Sequence, residues 1–241
     1  MNLDAYVSKA YPIGGNLEAG ATDTIFLWNT FASDVQTAIR FLDCVIDRNY
    51  YFLPQTKVRQ MSLRRVGLSV MGLADALVRL GMRYGSPDSL EFVRRVFRTM
   101  KDSAIEESLM LAREKGQARG WTDDMWDRPY LKEWLERNGW GDLRPETGLR
   151  NLFLLTQAPT GTTSLLADVN SGIEPYFNLK TWREDRTGGR YVYAKAVTDL
   201  MADGVEGRDF IVTSKDVTGG EHIAIQAAGP RWVASSVSKP L

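Results

Sequence analysis

The chain has 241 residues, 44% apolar and 25% charged, enough for one large domain with a sizeable core. Basic and acidic residues total 30 each, so the formal charge is zero and no whole-surface case exists for nucleic acid or an anionic membrane. A single Cys44 excludes an intramolecular disulfide and a Cys-cluster metal site, and with a single His222 the composition argues against zinc chemistry.

No apolar run approaches the roughly 20 residues of a membrane span, and the N-terminus does not read as a signal peptide. A cytoplasmic location follows as the expectation. The first 33 residues are mixed, with Gly14-Gly15 and Gly20 marking loops. Asp34 reads as the N-cap of a first helix. Val35, Ala38, Ile39, Leu42, Val45 and Ile46 follow at helical spacing as one apolar stripe, which Asn49 to Pro54 ends.

"RRVGLSVMG" alternates Val66, Leu68 and Val70, the pattern of a short strand, before "LADALVRLG" turns helical and stops at Gly81. Asp88 and Glu91 of "SPDSLE" offer a capping box for a long helix. Val93, Val96, Phe97, Met100, Ala104 and Leu111 face inward along it, and Gly116 closes it. A Trp-rich stretch with one short helix near Leu131 to Asn138 follows. "LFLLT" at 152–156 reads as a buried strand, "DFIVTS" as another, and a last helix begins near Thr218. Strands and helices alternate with crossover-length connections, which predicts an α/β fold with parallel pairing in one domain over 1–241.

The chemistry concentrates in "APTGTTS", 158–164, directly after a strand. Pro159 sets one backbone angle and Gly161 lets the main chain approach a ligand closely. Thr160, Thr162, Thr163 and Ser164 supply hydroxyls. If a helix starts here, free N–H groups sit at its positive end, where anions bind. Each hydrogen bond to a charged group contributes about 1.5–3 kcal/mol, so four or five can hold a phosphate without a lysine. A P-loop is excluded, because GxxxxGK[ST] and its lysine are missing, and a nucleophile elbow because no GxSxG occurs. A purely structural helix cap is the competing reading of the same residues.

"APTGTTSLLADVNSGIEPYF" resembles the phosphate loop and following corner of ribonucleotide reductase catalytic subunits, most of all the class II, adenosylcobalamin-dependent branch. "AIRFLDCVIDRNYYFLP", "RRVGLSVMGLADAL", "FIVTSKDVTGGEHIAIQAA" and "SVSK" are similar to further family stretches in the same order, and "MNLDAYV" to an earlier one. The resemblance implies part of a ten-stranded α/β barrel that replaces the ribose 2′-hydroxyl by hydrogen through a cysteine thiyl radical, with a cysteine pair as reductant. By the same resemblance Thr160, Gly161, Thr162, Thr163 and Ser164 bind substrate phosphates, and Glu174 and Pro175 form a possible active-site corner.

The radical cysteine of the family's N-x-C-x-E loop and the reducing pair have no counterparts here. Cys44 falls where the family has Asn or Asp and is expected to be an inert helical thiol. The missing segments are expected before Met1 and beyond Leu241, as in a truncated reading frame or a split gene. The isolated chain is then inactive, with a ribonucleotide, the remaining reductase segments and a possible second copy as partners. Lys215, Gly229-Pro230 and Pro240 depart from the family pattern. A non-catalytic nucleotide-binding or interaction module derived from the barrel is the alternative.

Overall fold

The computed structural model describes residues 1–9, 24–185, 188–203 and 209–238. The glycines at 14, 15 and 20 and Pro240 lie outside the described residues. After a 3-10 turn at Leu3–Tyr6, β1 (Val7–Lys9) pairs antiparallel with β2 (Thr24–Phe26). The helices are α1 (Trp28–Arg48), α2 (Pro54–Leu63), α3 (Leu73–Arg79), α4 (Pro87–Lys115), α5 (Pro129–Arg137) and α6 (Gly161–Leu166). An antiparallel hairpin of β3 (Lys180–Asp185) and β4 (Gly188–Tyr193) precedes α7 (Lys195–Ala202) and α8 (Gly219–Ala228).

The frame that positions the site is parallel. Asn2 bridges Met71, Leu68 bridges Leu155, and Gln157 bridges Val237, each in the parallel sense. Four short segments around residues 2, 68–71, 155–157 and 237 therefore lie side by side in that order. Backbone bonds knit them: the Leu3 N–H donates to the Met71 carbonyl at 2.9 Å, Thr156 to Leu68 at 3.0 Å, and Gln157 to Ser236 at 2.9 Å. A separate parallel bridge joins Tyr176 to Thr213. Helices α1, α4 and α8 lie in the crossovers, as parallel neighbours require. The expected mixture of helix and strand is present, but the regular sheets are both antiparallel, and the stretches expected as strands at 66–70, 152–156 and 209–214 pair in the parallel sense only through isolated bridges. A closed ten-stranded barrel is absent among the described residues.

The helices bury the stripes their periodicity marks. On α4, Val93, Val96, Phe97, Met100, Ala104 and Leu111 are all buried, and it packs against α1 through Phe31, Val35 and Ile39. One cluster runs from Leu3 through these helices to Leu154, Leu155, Ile225 and Trp232. A smaller one gathers Ala74, Val78, Tyr176, Ala196 and Val197. The α8 helix ends at Gly229, where a Cβ would come within 3.0 Å of the Phe97 ring, and Pro230–Trp232 continues as a 3-10 turn.

Two cap expectations are corrected. Helix α1 begins at Trp28, a turn and a half before Asp34, which instead accepts a 2.9 Å hydrogen bond from the Tyr6 hydroxyl. Its buried stripe includes Asp43, while Val45 is 42% exposed. The α4 cap is Ser86, whose hydroxyl accepts from the Ser89 N–H at 3.2 Å with Pro87 at the first position. Glu91 pairs with Arg94 on the surface. Serine outcompetes Asp88 because proline already fits the first helical position and needs no N–H partner there.

Candidate functional site

Gln157 ends one of the parallel segments, and its buried side chain fixes where the next loop starts. Its amide donates to the Val70 carbonyl at 3.0 Å and to the Ala158 carbonyl at 2.9 Å, and its oxygen accepts from the Val70 N–H. The chain then turns through Thr160, in the left-handed region at φ 56°, into α6. Six residues make this helix little more than a turn and a half. The N–H groups of Gly161, Thr162 and Thr163 precede its first intrahelical bond, and all three residues are exposed. Nothing lies within 4 Å of where a Gly161 Cβ would sit, so the approach to these donors is open.

The hydroxyls divide into two groups. The Thr160 Oγ1 accepts the Gly172 N–H at 2.8 Å, and the Thr163 hydroxyl donates back to the Thr160 carbonyl at 3.3 Å. Ser164 is buried; its hydroxyl donates to the Gly161 carbonyl at 3.2 Å and its N–H to the Thr160 carbonyl at 2.9 Å. Thr162 lies on the exposed side of the turn. The outward face is therefore made by backbone donors and Thr162, while Thr160, Thr163 and Ser164 brace the turn.

A second loop holds the first in place. The Ser171 hydroxyl donates to the Pro159 carbonyl at 2.8 Å. Gly172 turns at φ 48°, where a Cβ would meet the Pro159 and Ala158 carbonyls at 3.2 and 3.3 Å. Asn170 donates through its backbone to Asp75 at 2.6 Å and through its side chain to the Glu174 carbonyl at 2.7 Å. Sequence reasoning missed Gln157, Asn170, Ser171 and Gly172 as the braces of the loop. Their small or amide side chains are ordinary by type and acquire roles mainly from partners far along the chain.

Beneath this corner, Tyr84 donates to the Ile173 carbonyl at 2.6 Å, and Tyr176 to Asp75 at 2.8 Å. Burial pushes the Asp75 carboxyl upward, against the hydrogen bonds from Asn170 and Tyr176. Burial, reinforced by the Glu174 charge, drives the Tyr84 hydroxyl far above its ordinary value, so it remains a donor. Pro175 is buried and Glu174 half-buried. The site residues Thr160 to Ser164 and the Glu174-Pro175 corner are thus brought together through residues 170–172. Cys44 is exposed on α1, 3.7 Å from the Lys115 ammonium.

Known proteins are similar to this chain in sequence. A vitamin B12-dependent ribonucleoside-diphosphate reductase from Thermoplasma acidophilum is 30% identical over 231 residues, covering 86% of this chain and 28% of its own length. One of the same name from Mycobacterium tuberculosis is 29% identical over 236 residues, covering 88% of this chain and 32% of its own. A ribonucleoside-diphosphate reductase subunit alpha from Treponema pallidum is 36% identical over 146 residues, 58% of this chain and 17% of its own length. The chain spans about a third or less of the length of these relatives. Residues 1–241 match the family described as "Ribonucleotide reductase, barrel domain" from end to end, and the chain belongs to that family.

Proposed function

We propose that this chain supplies the substrate-phosphate seat of a ribonucleotide reductase catalytic subunit, reducing ribonucleotides to 2′-deoxyribonucleotides for DNA synthesis together with segments found elsewhere in its relatives. The observation that carries this reading is the exposed first turn of α6, with an unobstructed Gly161 and a brace at Ser171 and Gly172. In it, the Gly161, Thr162 and Thr163 N–H groups and the Thr162 hydroxyl face the phosphate, as the start of a helix favours. Thr160, Thr163 and Ser164 hold those donors in place, so binding needs no reorganisation. Glu174 and Pro175 shape the neighbouring wall. The parallel segments form part of the family's ten-stranded barrel, with 1–241 as one partial barrel domain.

The names of the Thermoplasma and Mycobacterium relatives favour adenosylcobalamin as the partner cofactor, which would supply the radical. The described cavities of about 270 to 540 Å³ suit a drug-sized ligand and are smaller than a corrinoid. The reaction needs a radical thiol beside a dithiol, and one exposed cysteine on α1 cannot serve as both. The chain by itself is inactive, and partners carrying the other segments complete it, whether as a split-gene product or a longer chain, in the cytoplasm and with a possible second copy.

The test has two arms. A nucleoside diphosphate titrated into the chain binds, and Gly161→Val weakens it at least tenfold without loss of fold; unchanged affinity removes the loop from the reading. Mixing with a polypeptide that carries the N-x-C-x-E loop and the reducing cysteines gives cofactor-dependent reduction. Binding without reduction would leave only a nucleotide-binding module.

A further inference from the structure

At the other end of the same parallel segments lies a second cavity, of about 540 Å³. Arg64 and Arg150 enter it just before segments 66–71 and 153–157, whereas the α6 loop follows 157. At about 3.3 Å per residue the two places are roughly 20 Å apart. Lys57, Lys115 and Arg119 join those two arginines around the rim, with Asp47 as the lining carboxylate. Directly beneath, fully buried Asp43 receives Arg64 at 2.7 Å, Lys115 at 3.4 Å and Arg150 at 3.4 Å. Five cations thus meet two carboxylates in a chain whose total charge is zero.

The surplus is held rather than scattered. Arg64 is 4% exposed and locked between Asp43 and Asp47, and Arg150 is 12% exposed and donates to the Lys115 and Gly116 carbonyls at 3.1 and 3.0 Å. The Arg150 Nε is buried and makes no hydrogen bond; it faces Asp43 at 3.4 Å, and the Arg150 Nη2 lies 3.9 Å from Asp47, so Arg150 shares both carboxylates with Arg64. Among the described residues neither Lys57 nor Arg119 forms an ion pair, and both project from exposed positions on the rim. One wall is apolar: Met61 and Val58, the latter 71% exposed. Guanidinium forks and ammonium groups around a cavity match the multiple oxygens of a phosphate, and the apolar wall suits an uncharged body attached to it.

We propose that this cavity binds a small phosphorylated anion, at a site separate from the α6 loop. Lys57 and Arg119 are the groups free to close on the ligand, while Arg64, Arg150 and Lys115 set against Asp43 and Asp47 leave the floor with a surplus of positive charge. Pyrophosphate and inorganic phosphate serve as probes, by calorimetry at low ionic strength, in the Gly161→Val background that removes the loop as a competitor. Pyrophosphate is expected to bind there at one site per chain, more tightly than phosphate. Adding Lys57→Glu and Arg119→Glu should weaken it at least tenfold with an unchanged circular dichroism spectrum. No binding in the Gly161→Val chain, or undiminished binding after the two charge reversals, overturns the assignment. Loss of nucleotide binding on Gly161→Val alone concerns the loop and leaves this cavity unaffected.

Discussion

Gly172 shows how one residue can support a site it does not enter. Its φ of 48° is a left-handed conformation, and a side chain would press on the Pro159 and Ala158 carbonyls. Its N–H is also the donor that Thr160 accepts. Gly172→Ala is expected to lower the unfolding free energy by about 1–3 kcal/mol and to loosen the loop it braces. Urea denaturation alongside nucleotide titration checks this; a variant as stable as the parent would show that the corner carries no strain. Gly161 is the opposite case, since its φ is ordinary and its surroundings are empty. A side chain there costs the fold little and obstructs only a ligand. Composition alone presents both as loop glycines.

Elements are joined where their ends meet, and α8 is the clearest example. Thr218 and Glu221 form a reciprocal capping box, with the Thr218 N–H donating to the Glu221 carboxylate at 2.7 Å and the Glu221 N–H to the Thr218 hydroxyl at 3.3 Å. Arg83, in the turn before α4, pairs with the same carboxylate and donates to the Asp216 carbonyl at 3.1 Å. The Arg83 hydrogen bond first, and the Thr218 N–H second, draw the Glu221 carboxyl down from 4.5 to about 2. A carboxyl depressed on folding stabilises the native state fully above its unfolded value, and that contribution disappears as pH falls from about 4.5 through about 2. Glu221→Gln should therefore cost about 1 kcal/mol at neutral pH, a cost that shrinks as pH falls and vanishes only well below about pH 2. Parallel acid titrations of parent and variant stability should converge; curves a constant distance apart would contradict the linkage.

Across the whole molecule, the buried Asp43 is the point where distant parts of the chain meet. It lies on α1, receives the Arg64 guanidinium from the end of α2, and accepts the Asn151 amide at 3.0 Å from the start of a parallel segment. Burial pushes its carboxyl up, but hydrogen bonds from Arg64 and Asn151 and the nearby arginine charges outweigh this and hold it below its ordinary value. Asp43→Ala would leave the buried Arg64 without its main counter-charge and is expected to cost about 3–5 kcal/mol. Thermal or chemical unfolding measures that loss, and a cost under about 1 kcal/mol would mean that water reaches the cluster. At this scale the segments at 1–3 and 236–238 are paired on one side only among the described residues.

Helix periodicity, the stops at Gly81 and Gly116, the single cysteine and the Thr-Gly-Thr-Thr-Ser loop were legible in the residues because each depends on neighbours within a few positions. The strands were less so: the stretches at 66–70, 152–156 and 209–214 form isolated bridges, and the hairpin of β3 and β4 was not foreseen. Two caps were misplaced, at Asp34 and Asp88, because several polar residues can cap a helix and packing selects among them. The brace of residues 170–172, the Gln157 bridge and the Asp43 cluster were invisible for a different reason. Apart from the local contacts of Gln157 with Ala158 and Asn170 with Glu174, their partners lie from 12 to 108 residues away, and no local pattern encodes such distances. By itself, the sequence determined which donors the loop carries and that the chain has a single thiol. Tertiary structure alone decided which hydroxyls face outward and which are consumed as braces, because only folding sets a buried donor against its distant acceptor.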